Sequence, residues 1–289
     1  AGLVLCALAP LAQAADIDDT RLRGADADRD NWLIHGRDYA NLRFSPLSAV
    51  NTKSVARLVP KWIYQTGTAA TFQTTPLVAD GVMFISAPGS SVMAVDAATG
   101  REIWRYDHKP APGKLCCGPA NRGVALGYGK VFVATVDARL IALAQHDGKV
   151  LWDVALAEGD RVVTEDRATL GGSDPILKGK VTGSTGIGAA SAPLVYDGKV
   201  FIGVTGVGYG LHLDSERPGA PLGAVVGIAG RYGRPGFLSA YDAATGQKAW
   251  QFDTTQEGWE GPFTAATADG LELPRDLPAE KAALDAHRD

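Results

Sequence analysis

The chain has 289 residues, of which 46% are hydrophobic and 21% are charged, a balance that predicts a packed globular core. Its net charge of -4 at pH 7 excludes the basic footprint of a nucleic-acid-binding protein. The 35 glycines exceed the usual share of ~7% and indicate many tight turns, which favours an all-β fold of short strands.

The first 14 residues are interpreted as the remnant of a secretory signal. Residues 2–12 form an apolar run that is shorter than the ~20 residues a membrane span needs. Ala12-Gln-Ala14 follows as a small-x-small cleavage pattern, so we predict a mature protein from Ala15 onward in the periplasm. The alternative is a buried N-terminal strand. The periplasm is oxidising, and disulfides persist there. Cys116 and Cys117 are the cysteines that remain after cleavage of the signal.

Three segments then repeat one pattern of strand, turn, strand, hairpin and a strand that carries Trp. Two spacings between equivalent glycines are 48 residues, Gly81 to Gly129 and Gly100 to Gly148. The repeats reach Trp104, Trp152 and Trp250. The third repeat contains 29 extra residues, which we place at 206–234. Asp-Gly and Thr-Gly pairs supply the positive φ that tight hairpins require.

Four-stranded units of 40–50 residues are typical of β-propeller blades, whereas solenoid repeats, the competing architecture, are mostly shorter. We predict that each Trp packs between neighbouring blades; the alternative is a local core residue. Trp62 is interpreted as the end strand of an earlier unit. The chain therefore holds about three blades plus partial ones, too few to close a ring. We expect residues 15–289 to be the N-terminal part of one longer propeller domain.

Four features together resemble the PQQ-dependent alcohol dehydrogenases, the quinoprotein family of methanol and ethanol dehydrogenases. The Trp repeat is similar to the family's tryptophan-docking motif. The others are residues 32–47, similar to its N-terminal signature, residues 73–83, similar to the opening of its first full blade, and residues 116–123 (Cys-Cys-Gly-Pro-Ala-Asn-Arg-Gly), similar to its vicinal-cysteine motif. The resemblance covers residues 30–289 and implies an eight-bladed propeller, incomplete in this chain.

The resemblance also implies an activity. An alcohol, primary or secondary, would be oxidised by hydride transfer to pyrroloquinoline quinone (PQQ), with Ca²⁺ or a lanthanide as the metal. Electrons would pass to cytochrome c or to a membrane quinone, the latter implying association with the membrane. The catalytic Asp is expected beyond residue 289, so we predict that this fragment alone does not turn over. The alternative is a non-catalytic periplasmic propeller scaffold with the same Trp repeats.

Seven residues are candidate cofactor contacts: Gln73, Cys116, Cys117, Arg122, Ser191, Thr205 and Gly206. The resemblance implies that the two adjacent cysteines form a strained disulfide over the PQQ ring, the alternative being two reduced thiols. A guanidinium at Arg122 suits one of the three PQQ carboxylates. The alternative interpretation of Arg122 is a solvated surface arginine.

The remaining contacts are weaker predictions. Gln73 stands where many family members have Glu, and its amide can donate to PQQ; the alternative is a polar residue at a strand start. Ser191, Thr205 and Gly206 match positions near the cofactor, with ordinary turn chemistry as the alternative.

The metal ligands are unknown from the sequence. The family's Glu ligand falls at Gly208 or Arg231, and neither side chain offers the oxygen that a hard cation needs. Asp214 and Glu216 in the insertion could substitute, the alternative being a solvated loop.

Overall fold

The structure is a computed structural model that describes residues 16–109, 119–156, 162–166, 180–184, 189, 191–204, 211–213, 223–224, 236–254, 272, 276–279 and 282. Within these ranges the structure has a short helix, a 3-10 turn and sixteen strands with defined bounds, and residues 277–279 and 282 are also helical. They are α1 Asp19–Arg23, the 3-10 turn Val55–Arg57, β1 Leu77–Ala79, β2 Val82–Ser86, β3 Val92–Asp96, β4 Glu102–Tyr106, β5 Ala125–Gly127, β6 Lys130–Ala134, β7 Arg139–Ala144, β8 Val150–Ala155, β9 Val162–Asp166, β10 Lys180–Ser184, β11 Leu194–Tyr196, β12 Lys199–Val204, β13 Leu211–Leu213, β14 Gly223–Ala224, β15 Phe237–Asp242 and β16 Lys248–Asp253.

Three antiparallel sheets of four strands form successive propeller blades, which confirms the predicted fold class. Their strand orders are β1-β2-β3-β4, β5-β6-β7-β8 and β11-β12-β15-β16. The first strand of the second blade is buried throughout, whereas every residue of β16 in the third blade is exposed. Blades radiate from the axis of a propeller, so we place the first strand of each blade towards the centre and the Trp-bearing fourth strand at the rim. Burial follows this order in the second blade, whereas Leu194 and Tyr196 of β11 are 41% and 42% exposed.

Each of three Trp side chains packs against the hairpin of the following blade, as predicted. A Cβ built on the hairpin glycine would lie 2.5–2.8 Å from the nearest indole carbon in the pairs Trp62–Gly100, Trp104–Gly148 and Trp152–Gly246. The indole N–H groups donate to carbonyl oxygens of the same hairpins, those of Ala97 (3.1 Å), Gln145 (3.0 Å) and Ala243 (3.3 Å). Glycine is therefore required where the ring approaches the backbone.

Local chemistry explains why these hairpins recur. The Asp96 carboxylate accepts from the backbone N–H groups of Ala98 and Thr99 and from the Thr99 hydroxyl. These hydrogen bonds hold the pKa of Asp96 below its usual value. Gly100 follows with a φ of +74°, a conformation that glycine adopts without steric cost. The Asp-Ala-Ala-Thr-Gly sequence thus encodes the turn on which the preceding Trp docks.

Two details differ from the sequence-based expectations. Trp62 docks on the next blade, but no strand includes it, because no described segment pairs with its backbone. A fourth sheet, ordered β14-β13-β10-β9, was not anticipated. Its strands β13 and β14 come from the insertion at 206–234, while β9 and β10 come from the connection between the second and third blades. The Trp repeat gives no signal for these strands.

Residues 16–41 fasten one end of the three blades. Helix α1 begins after Asp18, whose carboxylate accepts from the Arg21 backbone N–H. The Arg21 guanidinium binds the Asp80 carboxylate through two hydrogen bonds of 2.8 and 2.6 Å. Asp80 lies in the turn that follows β1, so this ion pair ties the segment to the first blade.

The same segment reaches the second and third blades. One oxygen of the Asp19 carboxylate accepts from the Tyr128 hydroxyl (2.6 Å) and from the Asp197 backbone N–H (2.8 Å). The Tyr39 hydroxyl donates to the Val195 carbonyl oxygen at 2.6 Å. Burial raises the pKa of Tyr39 to about 12, so this donor keeps its proton at neutral pH. Asp19, Arg21 and Tyr39 thus hold the segment near the ends of β1, β5 and β11. Its residues 33–35 line a small cavity with Leu77, Ala125 and Leu194, the first residues of these strands.

Candidate cofactor-binding site

Three sequence-predicted site residues lie shortly before the first strands of three consecutive blades. Gln73 lies four residues before β1, while Arg122 and Ser191 lie three residues before β5 and β11. All three are exposed. The first strands are the central ones, so these residues stand where the chain enters the middle of the propeller.

Backbone contacts bring the three strand starts together around Gly123. The Thr75 N–H donates to the Arg122 carbonyl oxygen at 3.2 Å. A Cβ built on Gly123 would lie 3.2 Å from the Thr75 oxygen and 3.6 Å from the Ala192 Cβ. The φ of Gly123 is +134°, which favours glycine. Each candidate residue is therefore no more than two positions from this junction.

The donor set fits the cofactor that the resemblance implies. Arg122 supplies a planar cationic fork, Gln73 an amide and Ser191 a hydroxyl, and these groups can donate to carboxylates and quinone oxygens. None of residues 73–75, 121–123 and 191–193 is acidic, so these strand starts carry no negative charge to repel a tricarboxylate. Gly123 keeps the junction free of a side chain at its centre.

Sequence reasoning missed the residue that holds this junction in place. Asn121 is 1% exposed, and its amide donates to the Ala134 carbonyl oxygen (2.8 Å) and to Ser90 Oγ (3.3 Å). Its side-chain oxygen accepts from the Gly123 N–H at 3.0 Å. Asn121 belongs to the vicinal-cysteine motif, and its position beside Arg122 was the available signal.

Next to Gln73, a buried hydroxyl pair fixes the start of the first blade. Ser86 is fully buried, and both its N–H (3.2 Å) and its hydroxyl (3.1 Å) donate to Thr74 Oγ1. This anchors the backbone at Thr74 while the neighbouring Gln73 side chain stays exposed.

Four predicted cofactor contacts lie outside the described residues: Cys116, Cys117, Thr205 and Gly206. The candidate metal positions Gly208, Asp214, Glu216 and Arg231 and the predicted signal remnant, residues 1–14, do so as well. Where the structure does describe the chain, no group of three or more His, Cys, Asp or Glu side chains is arranged to hold a metal ion. Among the described helices, none has the length and apolar character of a membrane span.

Residues 32–272 match the family model described as the glucose/ethanol/alcohol dehydrogenase β-propeller domain, abbreviated PQQ. The quinohemoprotein alcohol dehydrogenase ADH IIB of Pseudomonas putida is 38% identical over 256 residues, which cover 87% of this chain and 30% of that protein. The dehydrogenase subunit of the alcohol dehydrogenase (quinone) of Gluconobacter oxydans is 32% identical over 278 residues, covering 94% of this chain and 31% of that subunit.

A solved structure shows the same likeness. The crystal structure of quinohemoprotein alcohol dehydrogenase from Comamonas testosteroni superimposes with a TM-score of 0.62 at 31% identity. The match covers 93% of this chain and 32% of that one. The chain thus spans about a third of the length of each protein that it matches here.

Proposed function

Because the chain belongs to the glucose/ethanol/alcohol dehydrogenase β-propeller family, we propose that it contributes the PQQ-binding face of a periplasmic alcohol dehydrogenase. The observation that carries this proposal is the convergence of the Gln73, Arg122 and Ser191 strand starts on Gly123. A ligand placed there meets donors from three blades at once. A propeller that served only as a scaffold would have no need of such a set.

Arg122 is the principal anchor in this proposal. Its carbonyl oxygen is held by Thr75 and its neighbour Asn121 is buried, so the backbone that carries the guanidinium is fixed before a ligand arrives. A guanidinium binds a carboxylate through two parallel hydrogen bonds. Preorganisation of this kind lowers the entropy lost on binding.

Gln73 and Ser191 orient the ligand from the two flanking blades. An amide and a hydroxyl can donate to the remaining carboxylates or to a quinone oxygen. We include in the proposal a disulfide between Cys116 and Cys117 over one face of the ring, and contacts from Thr205 and Gly206. When bound, PQQ supplies the hydride acceptor for the alcohol.

The substrate class and electron acceptor follow from the relatives. The relatives are named alcohol dehydrogenases, one of them a quinone dehydrogenase and the others quinohemoproteins. We therefore propose a primary or secondary alcohol as substrate, and a cytochrome or a membrane quinone as acceptor. Ca²⁺ or a lanthanide belongs to the proposal as the metal, without assigned ligands.

The test uses the whole natural polypeptide that carries this sequence, freed of cofactor and then reconstituted with PQQ and Ca²⁺ or a lanthanide. We expect reduction of an artificial electron-accepting dye that requires both the alcohol and PQQ. Straight-chain primary and secondary alcohols serve as substrates, and protein without PQQ is the control. Dye reduction that does not depend on PQQ would contradict the proposal. So would a lack of dye reduction with every alcohol and with both metals.

A further inference from the structure

The first strand of each blade is an edge strand, and residues 16–41 (the hub segment) bind its backbone in all three blades. β1, β5 and β11 each stand at one end of their sheet, so one row of their N–H and C=O groups has no partner within the sheet. In the first blade, the Val78 N–H and carbonyl oxygen pair with the backbone of Trp32 at 3.0 and 2.8 Å. In the second blade, the Tyr128 N–H, directly after β5, donates to the Ile17 carbonyl oxygen at 2.8 Å. The hub segment thus supplies hydrogen-bond partners that the sheets themselves lack.

In the third blade, the side chain of Tyr39 takes this role. Its hydroxyl donates to the carbonyl oxygen of Val195, the middle residue of β11, at 2.6 Å. Its ring packs edge-on against Tyr196, with ring centroids 5.4 Å apart. Arg23 lies over the Tyr196 ring at 5.1 Å and pairs with Asp197, where both side chains are largely exposed. Of these contacts, the hydrogen bond from Tyr39 is the one that is made to the backbone of β11 itself.

Tyr39 thereby acts on the strand that directly follows Ser191. Val195 lies four residues after Ser191 and is 3% exposed. Packing sets the separation of this strand from the second blade, because a Cβ built on Gly127 would lie only 2.8 Å from Val195 Cγ1. Apolar packing is non-directional, whereas a hydrogen bond has a preferred distance and angle. The Tyr39 hydroxyl therefore restrains how β11 slides and turns, and with it the place of Ser191.

We propose that Tyr39 is a positioning residue for Ser191, which it places at the cofactor junction through β11. This inference rests on the proposed function. In Tyr39→Phe the ring stays, but the carbonyl of the buried Val195 loses the hydrogen bond that restrains β11. Binding of the ligand would then have to order Ser191, and the entropy lost in that step weakens binding.

Tyr64→Phe is the matched control for Tyr39→Phe. Tyr64 is also partly buried, and burial raises its pKa to about 12, as it does for Tyr39. The Tyr64 hydroxyl donates to the carboxylate of Glu102, the first residue of the outer strand β4. Each variant loses one hydroxyl and keeps the ring, so a difference between them reports the place of the lost hydrogen bond. A purely structural role of Tyr39 would lower stability without preference for one strand or one ligand contact.

The first readout needs no cofactor. Amide hydrogen exchange is measured by mass spectrometry in the whole natural polypeptide without PQQ, well below every unfolding midpoint. We expect the amides of β11 to exchange about tenfold faster in Tyr39→Phe than in the wild type, because the strand opens locally. Those of β5 should stay within twofold, and Tyr64→Phe should change neither strand. Unchanged exchange in β11, or equal acceleration in β11 and β5, would overturn the inference.

The second readout is the dissociation constant for PQQ, measured in a double-mutant cycle. We expect a rise of about fivefold in Ser191→Ala, in Tyr39→Phe and in the double variant alike, because Tyr39 acts through the serine hydroxyl that the double variant lacks. The effects of Tyr39→Phe and Gln73→Ala should instead multiply, since Gln73 belongs to the first blade. Tyr64→Phe should stay within twofold of the wild type.

Two outcomes of this cycle would overturn the inference. Effects of Ser191→Ala and Tyr39→Phe that multiply in the double variant would show that Tyr39 acts independently of Ser191. A dissociation constant that either single substitution leaves unchanged would break the link as well. A wild-type protein that binds no PQQ would refute the proposed function, and the exchange rates would still decide whether Tyr39 orders β11.

Discussion

Replacing Gly148 by alanine should lower the free energy of unfolding by about 3 kcal/mol or more, because two costs add. The new Cβ would lie 2.5 Å from Trp104 Cε3 and 2.8 Å from Cδ2, distances at which the indole or the hairpin must move. Trp104 is 8% exposed and its N–H donates to the Gln145 carbonyl oxygen. The ring therefore has little room to retreat. The φ of +72° at Gly148 adds backbone strain.

Gly81→Ala is the matched control for that variant. Gly81 has a φ of +80°, but no atom lies within 4 Å of a Cβ built there. Alanine at this position adds backbone strain alone, about 1–2 kcal/mol. Urea unfolding of both variants, monitored by Trp fluorescence, gives the loss of unfolding free energy in each. The difference between the two losses is the contribution of the Trp–Gly contact. Similar losses in the two variants would show that this contact between blades contributes nothing.

The second large effect concerns Arg122. Arg122→Gln should weaken PQQ binding about 100-fold, because a charge-assisted bidentate pair with a carboxylate is replaced by one neutral amide. The wild-type affinity should also fall as salt rises, since screening weakens an exposed ion pair. This salt dependence should be smaller in the variant. Titration of PQQ at several salt concentrations measures both changes.

Arg101→Gln serves as the control for Arg122→Gln. Arg101 is exposed in the hairpin that binds Trp62, at the rim of the first blade. The substitution changes the net charge of the protein by the same amount but leaves the strand starts untouched. If both variants bind PQQ equally well, Arg122 is a solvated surface residue, which the sequence left open as the alternative.

Much of the fold was predictable because the blades repeat a local code. Asp96 and Gly100 specify a turn through hydrogen bonds and a positive φ. Asp242 and Gly246 repeat this turn in the third blade, and the second blade keeps the glycine, Gly148, directly after Asp147. The Trp of the preceding blade packs on that turn, so the contact between blades is encoded at a fixed offset as well. Such local signals can be read from the sequence without knowledge of the tertiary structure.

The unpredicted features depend on contacts between distant residues. The pairing of β13 with β10 joins segments about 30 residues apart, and neither strand carries the Trp repeat. Likewise, the role of Asn121 depends on the Ser90 hydroxyl and the Ala134 carbonyl oxygen, which reach its amide only in the folded propeller. The motif around Asn121 marked the region, but tertiary contacts define what this side chain does.

The central claim is that the strand starts before β1, β5 and β11 bind PQQ, and the structure of the PQQ complex tests it most directly. We expect the ring at the junction around Gly123, with the Arg122 guanidinium against a carboxylate and joined sulfurs of Cys116 and Cys117 facing the ring. Density for PQQ at the opposite end, beside Asp80 and Tyr128, would contradict the account, as would separate, reduced cysteines remote from Arg122.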